Sequence, residues 1–98
     1  MFQVAGRTAL CLEDCEATDE NMKVCCELVT LKIRHYLEGV GAEWALKNFH
    51  LVEETVIESY YLAKKQLVEE HGVLPTIEKV MVRAKPYFES RYSRRIKK

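Results

Sequence analysis

Apolar positions along the chain fall into four blocks with different periods. Between residues 2 and 12, Phe2, Val4, Leu10 and Leu12 occupy even positions. That alternation predicts a short strand or an extended N-terminal arm, weakened by Gly6. Residues 13 to 21 are acidic and run into Thr18-Asp19-Glu20-Asn21. Thr18 or Asp19 is a good helix N-cap, and carboxylates in a first turn favour the helix dipole. A helix is expected from about Asp19 to Glu38. Met22, Cys25 or Cys26, Val29, Ile33 and Tyr36 line its seam at three-four spacing, and Leu28, Leu31 and Leu37 widen it. An apolar face this broad packs against more than one neighbour. Gly39 stands as its C-cap, and Gly41 allows a tight reversal.

A second helical stretch covers Ala42 to Glu70, with Ala45, Phe49, Val52, Val56, Tyr60, Ala63 and Leu67 as the buried seam. Twenty-nine helical residues would span roughly 43 Å. The stretch therefore either breaks near Asn48-Phe49-His50 or projects as a dimerisation arm. Trp44, Phe49, Tyr60 and Tyr61 read as core or dimer contacts. His71-Gly72 closes it, Pro75 blocks continuation and Thr76 caps a third helix. Ile77, Val80, Met81 and Ala84 are the buried positions of that helix. Pro86 is expected to end it and to open a fourth, since proline is welcome at a first helical position. The pattern predicts an all-α fold: a small four-helix domain, possibly dimeric, with a helix-turn-helix-like C-terminal segment. It reads as a single helical domain over residues 1–98: an arm and acidic segment at 1–18, a helical core at 19–70, and a basic end at 76–98.

Composition narrows the class. Of 98 residues, 48% are hydrophobic and 31% charged, which fits a globular chain rather than a disordered one. No spanning-length apolar run or leader is read in the sequence, so a cytoplasmic protein without a membrane partner is expected. Net charge is zero overall but divides sharply. Residues 77–98 carry eight basic and two acidic side chains, leaving thirteen acidic against seven basic in residues 1–76. A basic end of this kind suits an anionic partner or an acidic body on another chain.

Four cysteines, Cys11, Cys15, Cys25 and Cys26, all lie in the first quarter of the chain. In a reducing compartment they are free thiols. Only Cys11 and Cys15 have zinc-like spacing, and His35, His50 and His71 are scattered, so these four are no more than candidate metal ligands. Cys25 and Cys26 read as small buried apolar residues. The chain has no phosphate loop, H-E-x-x-H motif, nucleophile elbow or glycine-rich dinucleotide turn, so neither an enzyme nor a cofactor is expected.

The C-terminal quarter carries the functional expectation. A helix closed by Gly72, a short helix, a turn at Ala84-Lys85-Pro86 and a basic helix together resemble the outline of helix-turn-helix regulators over residues 56 to 98. Those regulators usually place Gly in the turn before the last helix and a small residue where Val80 stands here. On the last helix, Phe88, Tyr92 and Ile96 form a packing stripe. Tyr87, Arg91, Arg94 and Lys98 gather on a second face, with Arg95, Ser90 and Lys97 beside it and Lys79 and Arg83 on the preceding helix. Long cations can meet phosphates, while arginine forks and hydroxyls reach base edges. The expectation is a homodimeric DNA-binding protein of transcription-regulator type contacting duplex DNA through Lys79, Arg83, Tyr87, Ser90, Arg91, Arg94, Arg95, Lys97 and Lys98. The alternative is a helical protein-interaction, adaptor or inhibitor module without nucleic-acid affinity.

Overall fold

In a computed structural model describing residues 12–96, four helices follow one another: α1 (Asp19–Val40), α2 (Glu43–Lys47), α3 (Phe49–His71) and α4 (Ile77–Arg95). The arm or strand expected over residues 2–12 lies, apart from Leu12, outside the described residues, as do Cys11, Lys97 and Lys98. All-α is the fold, with its elements distributed differently from the expectation.

Helix α1 starts where its cap predicts. The Asn21 amide donates to Thr18 Oγ1 at 3.2 Å, and the Asn21 side-chain amide donates to the Glu16 carbonyl at 2.8 Å. Its end is one reversal later than expected. The helix runs through Gly39 and stops at Gly41, which takes φ 69°, a left-handed conformation that costs glycine little. The Ala42 and Gly41 amides bond the Leu37 and Glu38 carbonyls at 3.0 and 3.3 Å, a Schellman closure.

The long second stretch breaks at Asn48, so it is not a projecting arm. Backbone and side-chain amides of Asn48 both donate to the Trp44 carbonyl, at 3.0 and 2.9 Å, ending α2 and letting α3 restart. The seven seam positions from Ala45 to Leu67 are all buried. At the far end Gly72, φ 74°, caps α3 as expected.

At Pro86 the structure corrects the sequence reading. The two short helices expected around Ala84-Lys85-Pro86 are one helix of 19 residues with Pro86 inside it. Proline costs a helix interior about 3 kcal/mol through a lost hydrogen bond and a clash with the carbonyl four residues earlier. Here that carbonyl belongs to Val82, and both Val82 and Pro86 face solvent, where water can satisfy the orphaned oxygen. Buried anchors at Ile77, Val80 and Ala84 before the proline, and at Ile96 beyond it, hold both halves against the core. With no turn there, the helix-turn-helix outline is replaced by an antiparallel hairpin of α3 and α4.

Helix α3 packs most extensively against α4 and next against α1, and α1 and α4 also touch each other directly. The molecule is a slab of 38 × 34 × 16 Å. One buried cluster joins Met22, Cys25 and Cys26 of α1 to Val56, Tyr60, Ala63 and Leu67 of α3 and Ile77, Val80 and Ala84 of α4. A second, at the opposite end, gathers Leu37, Ala45, Phe49, Val52 and Ile96. Tyr36, expected in the α1 seam, is instead 66% exposed.

The acidic segment before α1 serves α4. The Ile77 amide donates to the Cys15 carbonyl at 2.9 Å, Glu78 to Glu13 at 3.0 Å and Lys79 to Thr76 Oγ1 at 3.3 Å, while Val80 closes onto Thr76 at 3.2 Å. The amides of the first three helical residues, which a helix start leaves without intrahelical partners, are thereby satisfied, and Val80 makes the first intrahelical bond. The Ala17 amide returns a bond to the Pro75 carbonyl at 2.8 Å.

Candidate interaction surface

The cationic residues of α4 divide into two groups. In the α3–α4 hairpin, side chains pair across the seam in antiparallel register. Arg83 donates through both terminal nitrogens to Glu70, at 2.8 and 2.9 Å. This fork holds the Glu70 carboxyl below its ordinary range and strengthens the Arg83 cation, in each case chiefly through the hydrogen bonds themselves. The Tyr87 hydroxyl donates to Gln66 Oε1. Glu58 receives Arg95 Nη1 at 2.8 Å and Arg91 Nε at 3.9 Å, and Arg95 also reaches Thr55 Oγ1 at 3.5 Å. Arg83, Tyr87, Arg91 and Arg95 therefore form the edge of α4 that faces α3.

Lys79, Lys85, Ser90 and Arg94 are exposed, and among the described residues no carboxylate comes within 4.0 Å of those three cations. At 100° per residue, Lys79, Ser90 and Arg94 lie along one outward strip and Lys85 on another side. Phe88 and Tyr92 pack as expected, with ring centroids 5.5 Å apart beside buried Ile96.

An apolar surface stands out on α1. Its core face carries Met22, Cys26, Val29 and Ile33; Val24, Leu28 and Leu31 project from the opposite face and are 44%, 44% and 62% exposed. With His35 they fall at i, i+4, i+7 and i+11, within about 60° of helix arc. Leu31 belongs also to an open groove of about 930 Å³ between α1 and α3, where Ile57 and Tyr61 of α3 line the other wall. Ile57 is half exposed. A smaller cleft of about 310 Å³ lies on the other flank of α1, between Ile33 and Tyr36 and the Phe88–Tyr92 pair.

A second apolar face was legible in the sequence only as a stripe too wide for one neighbour. Leu28 and Leu31 carried that signal. Ile57 and Tyr61 gave none, because their meeting with Leu31 depends on how α1 crosses α3.

Of the α1 thiols, Cys25 is buried in the core and Cys26 borders the α1–α3 groove. Cys25 is pushed up to about 11 by burial and then by Glu13; Cys26 is pushed up to about 12 by burial, then by Cys25 and Glu27. Both therefore stay protonated at neutral pH and make poor nucleophiles and poor ligands. Cys15 is half-buried beside the start of α4. Among the described residues, no group of three or more His, Cys, Asp or Glu side chains is placed to hold a metal ion, and no helix is long and apolar enough to cross a membrane.

Comparison with protein families, with curated proteins and with solved structures finds no match to this chain in any of the three. What this surface does has to be read from its own chemistry.

Proposed function

We propose that this chain is a helical protein-interaction module whose contact surface is the outer face of α1 together with the α1–α3 groove. The observation that carries the reading is the row Val24, Leu28 and Leu31, exposed on the side of α1 turned away from the core and continued by Ile57 and Tyr61. Large apolar side chains gathered on one surface mark a site of association, whereas scattered single ones need no explanation. Each is fixed on a helix anchored by a core face, so the surface is preorganised and little ordering opposes binding. The charge pattern of α4 agrees with this choice, since Arg83, Arg91 and Arg95 are engaged by Glu70 and Glu58 of the same chain.

A benzophenone photocrosslinker at Leu31 tests the reading, with one at Val82 as an exposed control. Crosslinks to protein in cells should form from position 31, vanish when Leu28→Glu is added, and not form from position 82. Equal yields at both positions, or yields indifferent to Leu28→Glu, would overturn it.

The DNA-binding reading keeps one specific support. Lys79 and Arg94 share an outward strip with Ser90 between them, free of carboxylate partners among the described residues. Strip cations of this kind meet phosphates rather than bases, which gives affinity without sequence choice.

A further inference from the structure

We propose that the partner of the α1 face is a second copy of this chain, with the two α1 helices packed in parallel about a twofold axis. This rests on the interaction reading above and adds the occupant and its geometry. Val24, Leu28, Leu31 and His35 alternate steps of four, three and four, the spacing of a two-stranded helical seam. On the helical wheel Glu27 lies about 70° to one side of that row and Lys32 about 70° to the other. Both are exposed, and among the described residues neither has an ion-pair partner. Opposite charges five residues apart that bracket an apolar row are the flanking positions that meet across a parallel helix pair, each glutamate reaching the lysine of the other copy. A twofold axis makes two such pairs at once.

Antiparallel packing would set Glu27 against Arg34 instead. Arg34 is turned away from the row: its guanidinium carbon lies 5.0 Å from the Phe49 ring centre, and its Nε lies 3.7 Å from Glu38. Parallel packing uses the charges left open; antiparallel packing would have to break an intrachain arrangement. In the parallel pair like residues stack in layers, Leu28 on Leu28 and Leu31 on Leu31, and His35 marks the polar end of the seam. The row lies on the side of α1 opposite its core face.

Charge exchange tests this on the full chain. Sedimentation equilibrium should find wild type dimeric, Glu27→Lys and Lys32→Glu each weaker by about tenfold or more, and the double exchange E27K/K32E restored. Glu27, Lys32 and Arg34 are all exposed, and circular dichroism will show the variants equally folded. A wild-type chain that stays monomeric into the submillimolar range would overturn the proposal. So would a dimer indifferent to both single exchanges, or one rescued by E27K/R34E rather than E27K/K32E, which would mean antiparallel packing. A monomer that still crosslinks from Leu31 to a different protein would sink self-pairing while sparing the interaction reading. A monomer that crosslinks nowhere on α1 would sink both.

Discussion

Cys25 and Cys26 are adjacent in sequence and both buried, next to Tyr60. Each of the three groups is neutral when protonated, and burial resists its ionisation. Their pKa values are raised in the fold, Tyr60 to about 12 through burial and then the two thiols. For a group whose folded value is raised, the stabilisation is complete below the unfolded value and is lost as pH climbs to the folded one. The ordinary thiol value is 9.0 and the folded ones are about 11 and about 12. Denaturant unfolding should therefore give flat stability up to pH 9 and a progressive fall from there to pH 12. In the C25A/C26A variant that fall should become shallower. An equally steep fall without the two thiols would show that other groups drive alkaline unfolding. At pH 8 a thiol reagent should modify Cys25 only at the rate of unfolding.

At the scale of the element, α4 separates what periodicity reveals from what it hides. Ile77, Val80 and Ala84, like the seam of α3 from Phe49 to Leu67, were readable because one helical face meets one core. The caps at Thr18, Thr76 and Gly72 were readable because each satisfies local backbone groups. Pro86 was not. Proline acts as a helix breaker by default, and its tolerance here depends on the exposed Val82 carbonyl and on packing at both ends of the helix. Gly39 misled for the same reason: either glycine could stop α1, and the bonds from Ala42 and Gly41 select the later one. Because Pro86 sits in a helix rather than in a turn, Pro86→Ala should restore one hydrogen bond and raise stability by about 1–3 kcal/mol. A calorimetric melting temperature that falls or does not move would mean the backbone there needs proline.

For the molecule as a whole, charge segregation was plain in the sequence, and its meaning was not. Eight cations in the last 22 residues suggested a free ridge. Hairpin register engages three of them, setting Glu70 opposite Arg83 and Glu58 opposite Arg91 and Arg95, pairings between residues far apart in the chain. The exposed face of α1 was legible as excess apolar width, but the groove beside it depends on the α1–α3 crossing. Lys79 and Arg94 give the polyanion reading a clear trial. If they meet phosphates, K79A/R94A should elute from heparin at lower salt than wild type, and the slope of log affinity for duplex DNA against log salt should flatten by about 0.9 for each phosphate no longer neutralised. Unchanged elution would remove the last support for DNA binding through this strip.

The backbone latch between Glu13–Ala17 and Pro75–Glu78 ties the stretch ahead of α1 to the start of α4. During synthesis its two halves emerge with three helices between them, so it can close only after those helices have been made. The α3–α4 hairpin can zip locally, whereas the latch bears the full entropic cost of a distant closure. It is the natural final step of folding. A linker inserted between Ala17 and Asp19 would slacken that clasp and loosen the first turn of α4 while leaving the hairpin itself intact.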